Sequence, residues 1–267
     1  MCGIYAILNN RYSKYEAIYK QFIRGKTRGP EYSQLLNVEQ YNTYLGFHRL
    51  AINGVNDKKS QQPFYIDGIY LICNGEIYNF KQLYQILDIV PYSKSDCEVI
   101  IHLYKRYGIK QTLQMLDGVY AFILMDTNTD KIYISRDTFG IRPLFESKLS
   151  FYVSPNNNYI SMGFASEMKS LISPENKKLD NTIKQFQPGS FSVYNFKTLP
   201  EIEYSYISFE SSHLYSRPLS FSNIFNYNNI YQNIYDKLYD AVNKRVDNTE
   251  REIACLLSGG LDSSLIA

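Results

Sequence analysis

The sequence has no tryptophan and only three histidines, four cysteines and nine prolines in 267 residues. With so few histidines and no C-x-x-C pair, a structural zinc site is not expected. Cys2, Cys73, Cys97 and Cys255 are too few and too dispersed to form a disulfide framework. A reducing compartment, the cytosol, is therefore expected. No apolar run approaches the ~20 residues that cross a bilayer, and the opening MCGIYAILNN lacks the basic stretch of a signal peptide. Charge of either sign is also scarce: 28 Lys and Arg against 26 Asp and Glu leave a net charge of +2. The basic residues are scattered, so neither nucleic acid nor an anionic membrane is expected as a partner.

What is present describes a folded domain. Hydrophobic residues make up 45% and charged residues 20%, ordinary values for a chain that buries a core. Short apolar runs bounded by turn residues read as strands at Cys2–Leu8, Tyr44–Ile52, Gly68–Cys73, Val119–Met125, Lys131–Ser135, Gly163–Ser166 and Ser190–Asn195. Asn53-Gly54 and Asn74-Gly75 read as turns. Helical spacing appears at Tyr15–Phe22, Phe80–Leu87 and Asp96–Tyr107, with Asp96 as N-cap. The expectation is an α+β fold with two packed sheets. Residues 197–229 read as an irregular connection. Beyond them, Ile230, Ile234, Leu238, Ala241, Val242 and Val246 have helical spacing, and Ile253–Leu257 reads as a buried strand running into SGGLDSS.

Cys2 is set apart by its position. Once Met1 is removed, one residue carries both a thiol and a free α-amine. That amine has an ordinary pKa of about 7.7–8, so a useful fraction can accept a proton at neutral pH. An N-terminal amine acting as base for its own side chain is an established way to activate a nucleophile. Taken alone, a cysteine in an apolar strand is more often a small core residue.

The surroundings in sequence reverse that balance. MCGI is followed in order by TRGPE (Thr27–Glu31), HRLAI (His48–Ile52), NGEIYN (Asn74–Asn79), SDCEVI (Ser95–Ile100) and SRDTFGIRPLF (Ser135–Phe145). Over about residues 2–195 this series resembles the class II glutamine amidotransferases of the N-terminal-nucleophile hydrolase type. The resemblance implies a four-layer α/β/β/α sandwich. It also implies glutamine as substrate and Cys2, Asn74 and Gly75 as catalytic residues, the last two as oxyanion donors, with no cofactor for hydrolysis. The implied glutamine-binding set is Arg49, Leu50, Ala51, Ile52, Asn53, Asn74, Gly75, Glu76 and Asp96. In it Arg49 takes the α-carboxylate as a bidentate fork, and Asp96 and Glu76 face the ammonium. Arg28, Arg136, Asp137, Gly140 and Pro143 match positions read as structural, and His48 reads as a packing residue. The sequence departs from the common pattern at Thr27, where His is usual, and at Glu31, where Asp is usual.

With SGGLDSS added (Ser258–Ser264), the whole chain resembles the front part of glutamine-dependent asparagine synthetases. That loop resembles the pyrophosphate-binding loop of ATP pyrophosphatases. Glycines permit tight turning, and backbone N–H groups and hydroxyls can cradle phosphate. The resemblance implies ATP contacts from Leu256, Ser258, Gly259, Gly260, Asp262, Ser263 and Ser264, no protein metal site, Mg2+ accompanying ATP, and aspartate as acceptor. The expected organisation is a glutaminase domain at 2–195, a connection at 196–229, and at 230–267 the first βα unit of an incomplete α/β domain. Partnership as a homodimer, or with a missing synthetase half, follows from that reading. A glutaminase alone, a non-catalytic truncated remnant and an amidotransferase for another acceptor are the alternatives.

Overall fold

The computed structural model describes residues 2–11, 13–154, 157–172, 182–195, 205–208 and 227–267. Twelve strands form two antiparallel sheets among them. The first sheet is built from β1 (Gly3–Leu8), β2 (Tyr32–Val38), β3 (Thr43–Arg49), β8 (Phe145–Ser154), β9 (Asn157–Ala165) and β10 (Thr182–Gln185), in the order β10-β8-β9-β1-β3-β2. The second contains β4 (Phe64–Ile66), β5 (Ile69–Ile77), β6 (Gly118–Asp126), β7 (Lys131–Arg136), β11 (Ser190–Asn195) and β12 (Ser205–Ser208), in the order β12-β11-β7-β6-β5-β4.

Alternation along the strands decides the layering. Ile4, Ala6 and Leu8 of β1 meet Ile123, Met125, Ile132 and Ile134 of β6 and β7 between the sheets. The intervening Tyr5 and Ile7 face Ile18 and Phe22 of helix α1 (Tyr15–Ile23). On the far side, Leu71, Phe122 and Leu124 pack against helices α2 (Phe80–Leu87) and α3 (Val99–Met115) through Leu83, Leu87, Ile100 and Leu103. Strands buried on both faces explain why the sequence shows short apolar runs instead of apolar–polar alternation. The order helix, sheet, sheet, helix is the four-layer sandwich expected.

Several local expectations change. Asn74-Gly75 is not a turn: β5 runs through it to Ile77 because β6 supplies a partner at every position, with Asn74 opposite Ala121 and Gly75 opposite Tyr120. The strand expected to reach Ile52 ends at Arg49, and Leu50–Ile52 leave the sheet as a loop. Asp96 is not the N-cap. Ser95 accepts from the Cys97 N–H at 3.3 Å and caps a single 3-10 turn, Asp96–Glu98, that leads into α3. Asp96 instead accepts the Ile77 N–H at 2.7 Å. Of the irregular connection, 196–204 and 209–226 lie outside the described residues; Ser205–Ser208 forms β12 and α4 (Tyr227–Val246) begins at its end.

Ile253–Leu257 is not a strand either. The segment has no ladder partner among the described residues and is exposed, Leu256 by 96%. The expected βα unit is therefore present only as its helix, α5 (Leu261–Ile266). A single apolar strand has no hydrogen-bonding edge to join without further parallel strands.

Gly29 shows how closely the first sheet is wrapped. A Cβ there would lie 2.3 Å from the His48 backbone carbon and oxygen and 2.5 Å from Arg49 N. Backbone cannot yield as a side chain can, so overpacking here costs about 1–3 kcal/mol. Gly29→Ala should lower the melting temperature by on the order of 5 °C for a domain this size. An unchanged calorimetric midpoint would contradict this close packing of Gly29 on the His48 backbone.

Candidate active site

One cleft gathers most of the residues singled out from the sequence. Cys2 precedes β1 in the first sheet, and Asn74 and Gly75 lie on β5 in the second, so the two halves of the site come from different sheets. Cys2, Arg49, Leu50, Ala51, Ile52, Asn53, Asn74, Gly75 and Asp96 all line it. Glu76 does not. It pairs with Arg142, itself a lining residue.

The Cys2 thiol is held by the backbone of Leu50. It donates toward the Leu50 carbonyl at 3.4 Å and accepts from the Leu50 N–H at 3.5 Å. The Cys2 carbonyl accepts from Arg28 Nε at 2.9 Å. Burial pushes the thiol pKa up, and the hydrogen bond with Leu50 only partly opposes it. The resting group is a thiol, so its chemistry needs a base.

Asn74 is buried, and its Nδ2 has no hydrogen-bond partner. An orphaned buried donor costs about 1–3 kcal/mol, and at a cleft wall beside a thiol it marks a place for an acceptor. The alternation of the β5–β6 ladder adds a second donor. Thr127 N donates to the Gly68 carbonyl at 3.0 Å and Tyr78 N to the Asp117 carbonyl at 2.7 Å, so even-numbered residues of β5 bond toward β6. Gly75 N–H therefore points to the other edge, where β4 has already ended at its Phe64–Leu71 pair. Gly75 also has no room for a side chain: a Cβ would meet Tyr120 Cβ at 2.7 Å.

Gln62, which the sequence reading passed over, completes this edge. Its side-chain oxygen accepts the Cys73 N–H at 2.6 Å and its amide donates to the Cys73 carbonyl at 3.3 Å. A single side chain thus does for Cys73 what a neighbouring strand would do. The only sequence signal was a polar residue beside Pro63. Arg142 was likewise legible only as part of a longer motif.

Arg49 and Asp96 supply opposite charges. Arg49 is buried, and one of its terminal nitrogens donates to the carbonyls of Asn53 at 3.2 Å and Gly54 at 2.6 Å. That holds the loop around the guanidinium. Asp96 is pushed up to about 6 by burial, opposed by hydrogen bonds from the Ile77 N–H and the Asn53 side chain. His48 plays no part in the cleft. It bonds Ser33 at 2.7 Å and the Phe22 carbonyl at 2.9 Å and stacks on the Phe22 ring.

The raised Asp96 pKa has a sign that can be tested. Folded Asp96 holds its proton up to about pH 6, whereas the unfolded chain releases it near 3.9. Stability from this group is therefore greatest below about pH 4 and falls as pH rises to about 6. At neutral pH the buried charge costs about 3 kcal/mol. Asp96→Asn should raise the melting temperature at pH 7.5 and flatten the pH dependence between 4 and 6. A lower melting temperature would contradict it.

Comparison with known proteins gives the family. Residues 1–213 match the glutamine amidotransferase domain family, and residues 233–267 match the asparagine synthase family. The glutamine-hydrolysing asparagine synthetase of Gallus gallus is 36% identical over 282 aligned positions, covering all of this chain and 48% of that protein. The Homo sapiens enzyme is 34% identical with the same coverage. The chain spans about half the length of the curated relatives it matches. Among solved structures, the glutamine phosphoribosylpyrophosphate amidotransferase of B. subtilis, complexed with ADP and GMP, superposes with a TM-score of 0.58 at 21% identity. That match covers 78% of this chain and 49% of the other. An allosteric regulatory enzyme of purine biosynthesis gives 0.60, also at 21% identity, covering 79% and 50%. At that identity the likeness speaks for the fold alone. Matched over residues 1–213 of 267, the chain belongs to the glutamine amidotransferase domain family.

Proposed function

We propose that Cys2 hydrolyses glutamine to glutamate and ammonia, and that the ammonia serves ATP-dependent amidation of aspartate to asparagine in the whole protein. The observation that carries the first half is the unpartnered Asn74 Nδ2, buried in the same cleft as the Cys2 thiol, Arg49 and Asp96. In this reading Arg49 takes the α-carboxylate of glutamine and Asp96 its ammonium. Those contacts fix the carboxamide over the sulfur.

The α-amine of Cys2, freed by loss of Met1, takes the thiol proton, and the thiolate attacks the carboxamide carbon. The resulting oxyanion accepts from Asn74 Nδ2 and the Gly75 N–H. Donors fixed in advance for developing charge contribute about 3–4 kcal/mol each. The ammonium of Cys2 returns its proton to the leaving nitrogen, ammonia departs, and a glutamyl thioester remains. Water, deprotonated by the same amine, cleaves it to glutamate. Glu76, held by Arg142 at the margin, fits a role in setting the charge near Asp96, which it raises slightly, better than direct contact with glutamine.

For the second half, Ser258–Ser264 provides part of a phosphate cradle. Gly259 adopts a positive φ of 81°, and the Ser263 and Ser264 hydroxyls donate to the Gly260 carbonyl at 3.1 and 2.8 Å. No group of three acidic or imidazole ligands exists among the described residues. The reading places the protein in the cytosol, consistent with four unpaired thiols and with no described helix long and apolar enough to cross a membrane.

Two measurements test the glutaminase. Purified protein should lack Met1 by mass and release ammonia from glutamine, and Cys2→Ala should abolish release without loss of fold. Asn74→Ala should cut kcat by roughly 10²–10³, whereas Arg49→Ala should act mainly on KM. Substantial turnover by Cys2→Ala would overturn the assignment. KM should also rise as pH falls through about 6, because a protonated Asp96 no longer attracts an ammonium, and Asp96→Asn should lose that pH dependence along with affinity.

A further inference from the structure

The loop that lines the cleft from Leu50 to Asn53 is held from outside by a segment two hundred residues away. Glu31 Oε2 accepts the Ala51 N–H at 2.8 Å, and Arg251 Nε donates to the Ala51 carbonyl at 2.9 Å. Glu31 Oε1 accepts from Arg251 at 2.5 Å and closes the ring. Next to this contact, Glu250 N donates to the Ile52 carbonyl at 3.0 Å and the Glu250 carboxylate accepts the Val55 N–H at 3.1 Å. The segment is itself anchored, with Asn248 Nδ2 donating to the Tyr78 carbonyl at 2.8 Å and Lys244 pairing with Asp117 at 2.6 Å.

We propose that Glu250 and Arg251, working with Glu31, are positioning residues that set the Leu50–Val55 loop for glutamine binding. The inference rests on the glutaminase reading above. None of the three reaches the cleft, so each acts through the loop backbone. Ala51 is engaged on both its N–H and its C=O, which leaves that peptide little freedom to rotate. The loop's other face holds the Leu50 groups on the Cys2 sulfur and the two carbonyls that grip Arg49. A shift of Ala51 would therefore move the carboxylate-binding guanidinium more directly than the oxyanion donors, which stand on β5. The expected signature is a rise in KM with little change in kcat.

The Glu31–Arg251 ion pair is partly exposed, where such pairs contribute little to stability, about 0–1 kcal/mol. The global fold should barely register its loss. The test uses the full chain with Arg251→Met, Arg251→Lys and Glu31→Gln. Arg251→Met should raise KM for glutamine about fivefold, the ceiling such a pair implies, keep kcat within about twofold, and speed hydrogen exchange at the Ala51 amide. Arg251→Lys, which keeps the charge and one donor, should recover most of the affinity. Unchanged KM and unchanged exchange in Arg251→Met would overturn the proposal. So would equal losses in kcat and melting temperature that Lys does not relieve, since those describe a merely structural contact. The exchange measurement needs no ligand. If the wild-type chain failed to hydrolyse glutamine, the glutaminase reading would fall, and Ala51 protection would still decide whether the strap holds the loop.

Discussion

The site depends on a strand that outruns its neighbour. β4 pairs with β5 only from Phe64 to Ile66, opposite Ile69 to Leu71, while β5 continues to Ile77 against β6. Beyond Leu71 the odd-numbered backbone groups of β5 face an edge with no strand on it. An unpaired buried edge is normally a defect, because each orphaned group forfeits a hydrogen bond. Here Gln62 takes both groups of Cys73, the Gly75 carbonyl accepts the Cys97 thiol at 3.7 Å, and the Gly75 N–H, the proposed oxyanion donor, faces the open edge. Had β4 been four residues longer, reaching the position opposite Gly75, that donor would have been spent on the ladder and the cleft would have closed.

The same region carries the energetic cost of being ready. Asp96 is buried with its pKa displaced upward, and Asn74 holds a buried donor without an acceptor. Neither arrangement favours the empty fold, and in the proposed function both are relieved by glutamine, a zwitterion with a reactive carbonyl. The cost is tolerable because the surroundings are rigid: Asn74 sits in a nine-residue strand paired at every position, and Asp96 is fixed by the Ile77 N–H of that same strand. Strain kept at a site and supported by a packed scaffold is what a pre-organised binding pocket requires.

Much of this was legible in the sequence, and the failures have physical reasons. The central strands announced themselves as apolar runs because both their faces are buried. The cleft residues were found because their types match the chemistry of an α-amino acid amide and because the motifs follow in order. Asn74-Gly75 read as a turn because its local chemistry favours one, yet β6 overrode that preference with pairing on either side. Asp96 read as a helix cap for the same local reason, yet its carboxylate bonds a strand that is remote in sequence. Gln62, β2 and the strap at Glu250–Arg251 left no periodic signal. Their roles come entirely from what stands next to them after folding, which spacing along the chain does not encode.

The strap crosses the division that the sequence suggests. Sequence placed the glutaminase before Asn195 and assigned the segment after residue 230 to a different unit. Hydrogen bonding joins them: the loop that lines the cleft is bonded at Ala51, Ile52 and Val55 to Glu250 and Arg251 or to the Glu31 that Arg251 holds. A cut at Asn195 would thus remove part of the support of the pocket, although every group that touches the substrate in the proposed mechanism lies before it. Six residues separate Arg251 from Ser258, where the SGGLDSS loop begins. A displacement of that loop has a short path to the backbone around Arg49, and a displacement of the Arg49 loop has the same path back. Because coupling between binding sites is reciprocal, any effect of a nucleotide on glutamine affinity carried by this segment must appear with equal size as an effect of glutamine on nucleotide affinity.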